Sequence, residues 1–211
     1  MPGPSTLIRR LLLAGSLVLA AGAAQAKVPV VTMLGDSLTA GYGLQAGDAI
    51  PAQLQIALKA IGVEAVVRPA GVSGDTSADG LARADFSVKP DTDLAIVALG
   101  GNDLLQGVEP AVTRANLAAI VAKLKARHIP VLLVGVKAPP AMGQGYARDF
   151  DAVVPDLAHK EAVAAYPDLL GKVALDHALN QGDGVHPNPR GVKIVAQRLA
   201  PAVAAVLKSK R

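Results

Sequence analysis

The chain has 211 residues, 51% of them hydrophobic and 18% charged, with a net charge of +4 and no cysteine. That length supports one ordinary domain with a sizeable core, and the composition excludes a disulfide-stapled mini-protein, a thiolate metal site and a disordered charged tail. Three tyrosines, two phenylalanines and no tryptophan, with no dense Lys/Arg stripe, leave neither a base-stacking platform nor a phosphate-tracking groove, so no nucleic-acid partner is expected.

Residues 1–26 read as a secretory signal peptide. Arg9 and Arg10 precede an apolar run at 11–24 that is broken by Gly15, Ser16 and Gly22, and Ala24-Gln25-Ala26 offers the small residues of a cleavage site. The expectation is an exported chain, periplasmic or secreted, that starts at Lys27, forms one domain over 27–211 and keeps no stable membrane insertion. The paired arginines hint at the twin-arginine route. Losing Arg9 and Arg10 takes the 21 bases to 19 against 17 acids, so the sequence pI near 9.4 overstates the basicity of the remaining domain.

From there short apolar runs alternate with segments of helical period. A first strand is expected over 28–34, followed by Gly35-Asp36-Ser37-Leu38. A helix starting near Asp48 carries Leu54, Ala57, Leu58 and Ile61 on one face and stops at Gly62. The second strand is expected over 63–67, before Gly71-Val72-Ser73-Gly74-Asp75-Thr76, with Thr76 or Ser77 opening the next helix. The third, 94–99, runs into Gly100-Gly101-Asn102-Asp103. A helix with Leu117, Ile120, Val121 and Leu124 precedes the fourth, 131–136. Gly171 reads as a helix stop and 173–175 as a weak fifth strand, ahead of Asp183-Gly184-Val185-His186-Pro187. Asn188 before Pro189 then opens a helix carrying Val192, Val195, Ala196 and Leu199.

The strand runs lack in/out alternation, as parallel strands covered on both faces do. Five of them, joined by helix-length crossovers, predict an α/β fold. It is a three-layer α/β/α sandwich around a five-stranded parallel sheet in the flavodoxin-like order 2-1-3-4-5. A ligand crevice should then open where the first and third strands diverge at their C-terminal ends.

The polar and glycine-rich residues gather at those ends. A serine that attacks a carbonyl needs a base within hydrogen-bond reach, a carboxylate to orient the base, and donors waiting for the oxyanion. Ser37 follows a strand at a glycine turn; Asp183 and His186 stand three apart in a bent loop; Gly74 presents a bare backbone N–H and Asn102 an amide. Taken singly, each has a plainer reading: Ser37 as a turn residue, Asn102 as a loop bridge, His128 as a solvated cap, His159 and His177 as structural residues. Their arrival together at separate strand ends favours the catalytic reading.

Two decoys are set aside. Gly41-Tyr42-Gly43-Leu44-Gln45-Ala46 fits G-x-G-x-x-A but does not follow its strand directly or open a helix. Asp36, Asp75 and Asp103 suggest a carboxylate metal site, yet no histidine or cysteine cluster accompanies them, and loop-tying is the better reading. No metal and no cofactor are expected. No G-x-S-x-G elbow is present either.

The blocks Leu34-Gly35-Asp36-Ser37-Leu38-Thr39-Ala40-Gly41, Gly74-Asp75-Thr76-Ser77, Gly100-Gly101-Asn102-Asp103 and Asp183-Gly184-Val185-His186-Pro187 resemble the four signature blocks of the SGNH, or GDSL, hydrolase family. The resemblance runs from Val30 to His186. More narrowly, it points to the exported bacterial esterase branch of arylesterases, lysophospholipases and acyl thioesterases. It implies a serine esterase with an α/β/α sandwich, acting on small-molecule ester or lipid substrates through an acyl-enzyme. The residues do not fix an oligomeric state, and a monomer is the favoured expectation. Position by position, Ser37 matches the nucleophile, His186 the base and Asp183 its orienting acid. The Ser37 N–H, Gly74 and Asn102 match the oxyanion donors. Leu104-Leu105-Gln106-Gly107 stands where relatives often place glycine, and 137–146 is only loosely similar, so chain-length preference is not carried over. Leu104, Leu105 and Val108 are candidate acyl-pocket residues or ordinary packing. A carbohydrate O-deacetylase with the same triad, or a non-catalytic or dinucleotide-binding module, are the alternatives.

Overall fold

The computed structural model describes residues 27–209; the signal peptide expected over 1–26 lies outside the described residues. The chain order is β1 (Val30–Gly35), α1 (Ser37–Ala40), α2 (Ile50–Ala60), β2 (Val66–Gly71), α3 (Ser77–Ser87), β3 (Leu94–Ala98), α4 (Gly101–Leu105), α5 (Pro110–Ala126), β4 (Val131–Val134), α6 (Gln144–Asp151), α7 (Val153–Glu161), β5 (Ala164–Tyr166) and α8 (Pro189–Lys208), with three short 3₁₀ turns. The strands pair in parallel in the order β2-β1-β3-β4-β5, as the sequence predicts.

Both sheet faces are covered, and that explains the unbroken apolar runs. In β3 all five residues are buried. Leu94 and Ile96 join Leu54, Leu58, Val195 and Leu199 on the α2/α8 side, while Ala95 and Val97 join Leu117, Ile120, Val121 and Leu157 on the α5/α7 side. The pleat sends alternate residues to opposite layers, each of which is apolar. Helix starts follow local chemistry. Thr76 closes a capping box with Asp79 at α3, Asn188 accepts from Arg190 and Gly191 N–H at α8, and proline leads α2, α5 and α8.

Four sequence expectations need correction. The fifth strand is not 173–175 but Ala164–Tyr166, which pairs with β4 directly after α7. Three residues rich in alanine carry almost no periodic signal. Val173 instead ends a 3₁₀ turn and is buried in the α8-side core, and Leu175 is 74% exposed with φ 65°. Gly171 opens that turn and stops no helix; α7 ends at Glu161 with Ala162 in the left-handed region. The helix expected near Asp48 begins at Ile50, because residues 46–48 form a separate 3₁₀ turn. The second strand also starts later than 63–67 and runs to Gly71, bringing the Gly74 loop to the rim. No helix among the described residues is long and apolar enough to cross a membrane.

Candidate active site

Ser37 is the first residue of α1, two positions beyond the last residue of β1. The turn is tight: a Cβ on Gly35 would lie 2.1 Å from Thr39 Oγ1 and 2.8 Å from the Ala98 carbonyl, and one on Gly71 would lie 2.4 Å from Ala40 N, so only glycine fits either place. Asp36 caps α1, its Oδ1 accepting from Leu38 N–H at 3.0 Å. The half-buried Ser37 side chain faces the loop before α8.

There the geometry closes. His186 Nε2 stands 2.9 Å from Ser37 Oγ, and His186 Nδ1 stands 2.7 Å from Asp183 Oδ2. Asp183 Oδ1 also accepts the backbone N–H groups of Val185 and His186 at 2.9 and 3.0 Å. Those bonds to the ionised form, with the imidazole, hold its carboxyl at about 2, well below the usual carboxylate range. An acceptor-only carboxylate assigns the ring proton to Nδ1, which leaves Nε2 free to accept from the serine hydroxyl.

The remaining sequence candidates lie on the segments that follow β2 and β3, the two strands that pair with β1. Gly74 sits at φ 91° in the loop after β2. Asn102 lies in the first turn of α4, and its Nδ2 donates to the Asp75 carbonyl at 2.8 Å. That amide nitrogen carries a second hydrogen. The loop-bridging reading of Asn102 is therefore realised for one hydrogen and leaves the other available. The Ser37 and Gly74 N–H groups donate to no other group among the described residues.

Two of the three aspartates tie separate segments together, and the third, Asp36, caps its own turn. Buried Asp103 accepts from Ser77 N–H at 2.7 Å and from the hydroxyls of Ser77 and Thr113. Asp75 pairs with Arg83 at 2.5 Å. Asp36, 3% exposed, is pushed up to about 6, mainly by burial and partly offset by the Leu38 N–H. Of the other histidines, His128 is an exposed residue just after α5 at φ 56°, and His159 and His177 are exposed.

Three residues at the site had no signal in the sequence. Arg83 on α3 reaches the Gly35 carbonyl at 2.7 Å, the Ala70 carbonyl at 2.8 Å and Asp75, joining the segment before Ser37 to the strand that leads to Gly74. Tyr42 lays its ring 4.8 Å from that of His186. Gln181 bonds both to the Tyr42 carbonyl and to the histidine loop. Among the pocket candidates, Leu104 is buried, Leu105 is 64% exposed, and the half-buried Val108 accepts from Tyr146 Oη at 2.7 Å.

Residues 33–194 match the model of the GDSL-like lipase/acylhydrolase family. The chain belongs to that family. It is 38% identical over 181 residues to an esterase, TesA, of Pseudomonas aeruginosa, covering 85% of this chain and 90% of that one. It is 35% identical over 176 residues to thioesterase 1/protease 1/lysophospholipase L1 of Escherichia coli K12, covering 83% of each. Among solved structures it resembles AlinE4, an SGNH-hydrolase family esterase. The TM-score is 0.71 at 47% identity, over 86% of this chain and 97% of that one. Within this GDSL hydrolase the matched span takes in the Ser37, Gly74, Asn102 and His186 loops together.

Proposed function

We propose that this chain is a serine esterase that hydrolyses carboxylic esters through an acyl-enzyme on Ser37, with His186 as base and Asp183 as its orienting acid. One observation carries the reading: the 2.9 Å approach of Ser37 Oγ to His186 Nε2, across 149 residues of sequence, with Asp183 2.7 Å behind the ring. As Ser37 Oγ attacks the carbonyl carbon, its proton passes to His186 Nε2 and the imidazolium is stabilised by Asp183. The tetrahedral oxyanion is held by the N–H groups of Ser37 and Gly74 and by the second Asn102 hydrogen. His186 then gives its proton to the leaving alcohol, and water, activated by the same nitrogen, releases the acid.

The substrate reading follows from the rim. Tyr42 after α1, Val72 after β2, Leu105 at the end of α4 and Val185 in the loop before α8 are exposed apolar side chains on the four segments that carry the motif blocks. Such a collar suits an ester with an acyl or aromatic part better than an acetylated sugar. Thioesters and lysophospholipids, named for the Escherichia coli relative, are substrates of the same chemistry. We read residues 1–26 as a signal peptide that is removed on export, and the remaining domain as a monomer.

The test is a fluorophosphonate probe with peptide mapping, beside p-nitrophenyl esters from acetyl to palmitoyl and a lysophospholipid. Stoichiometric labelling of Ser37 and ester turnover are the expected results. An unlabelled Ser37, with no ester turned over, would identify a binding module instead.

A further inference from the structure

Ser37 opens the one-turn helix α1 and His186 sits on the loop before α8, at opposite ends of the sequence, and as a reacting pair they must be held in register. Between the segment 36–49 and the loop 176–190 the described residues form two hydrogen bonds. One is the Ser37–His186 contact that the reaction itself breaks and remakes. The other is Gln181 Nε2 donating to the Tyr42 carbonyl at 2.8 Å.

Resting on the Ser37–His186 esterase reading, we infer that Gln181 is a positioning residue, whose side-chain amide fixes the His186 imidazole against Ser37 by bonding the nucleophile's segment to the histidine's loop. The path is short on both sides. Tyr42 N–H donates to the Ser37 carbonyl at 3.1 Å, so the Tyr42 peptide is anchored on the nucleophile's own residue. Gln181 N–H donates to the His186 carbonyl at 2.7 Å, and Nε2 also reaches the Pro187 carbonyl at 3.1 Å, so the glutamine grips the histidine loop on either side of Pro187 N. Asn180 and Pro187 form an antiparallel bridge beside it.

Two further features belong to the same device. Gly43, at φ 73°, has no room for a side chain: a Cβ there would stand 2.2 Å from Gln181 Oε1. The glycine leaves the gap through which the amide passes. The Tyr42 ring, carried by the same residue, lies 4.8 Å from the imidazole at a 39° tilt. Bonding the Tyr42 carbonyl therefore fixes both the distance between the loops and the wall beside the ring.

The amide touches neither Ser37 Oγ nor the imidazole nitrogens, so its loss should slow the chemistry far more than it weakens substrate binding at the Tyr42 wall. Gln181→Met keeps length and bulk and removes the donor. With active sites counted by fluorophosphonate titration, kcat per site on p-nitrophenyl butyrate is expected to fall about ten- to a hundredfold, the range expected for a misplacement near 1 Å. KM should stay within about twofold, and the rate constant of fluorophosphonate labelling should fall in parallel with kcat. Gly43→Ala, which pushes the amide aside without deleting it, should lower kcat in the same way, and should cost less when added to Gln181→Met than it does alone.

A Gln181→Met protein with wild-type kcat per titrated site, whatever its melting temperature, would overturn the inference and reduce Gln181 to a structural residue. So would a loss confined to KM. Ser37→Ala separates this from the reading beneath it. If Ser37→Ala is dead and Gln181→Met is unimpaired, only the positioning role fails. If Ser37→Ala hydrolyses esters normally, both fail.

Discussion

Asp183 and Asp36 lie on the same rim and titrate in opposite directions. Asp183 accepts three bonds and holds its charge down to about 2; it stabilises the fold above the ordinary carboxylate range, and the benefit fades as pH falls through that value. Its partial exposure makes that contribution small. Asp36 is buried and raised to about 6, so the folded state binds its proton more tightly than the unfolded chain. Stability then declines as pH rises from near 4 to near 6, by about 3 kcal/mol for the two pH units between the unfolded and folded values. Asp36→Asn should flatten that decline in melting temperatures recorded across the range; a curve as steep as wild type's would remove Asp36 as its source. For activity, Asp183→Asn should cost about 10⁴ in kcat because the imidazole would be held in the wrong tautomer. Asn102→Ala should cost roughly 10²–10³, the loss typical of one oxyanion donor. Initial rates on p-nitrophenyl butyrate would check both. The motif residues Ser37, Gly74, Asn102, Asp183 and His186 were legible, since each stands in a compact block. Gln181 and Tyr42 were not, because these bonded partners lie 139 residues apart.

Helix α3 shows how an element carries the site. Its capping box fixes where the helix starts, and its small residues let it lie close: a Cβ on Gly80 would meet Leu99 Cδ1 at 2.2 Å. From that helix the largely buried Arg83 forks to two strand-end carbonyls and to Asp75. Arg83→Met leaves a carboxylate and two carbonyls without their donor, and should destabilise the fold by about 3 kcal/mol in urea titration while lowering kcat. Arg83→Lys should rescue little, since an ammonium lacks the planar fork; wild-type stability in Arg83→Lys would show that charge alone suffices. The cap at Thr76 was readable from a local pattern. The role of Arg83 was not, because an arginine on a helix reads the same whether it faces solvent or three acceptors. Strand β5 failed for a related reason: Ala164–Tyr166 becomes a strand because β4 offers it an edge, not through its own residues.

For the whole molecule, the core and the reacting loops are separable layers. Ile96, in central β3, is fully buried in the α2/α8-side core, while the proposed Ser37–His186 pair sits beyond the strands. Ile96→Ala should cost about 2–5 kcal/mol of stability with kcat per titrated site unchanged. A fall in kcat per site at full folding would mean that the core transmits strain to the rim. Burial on both sheet faces and turn chemistry are written among near neighbours in the chain, so the sandwich, its strand order and the four motif blocks could be read from the residues alone. The position of β5, the arginine that clamps the strand ends and the amide that holds the histidine loop emerged only on folding. They depend on groups that sheet pairing brings within 3 Å from distant parts of the polypeptide, and no local pattern encodes that meeting.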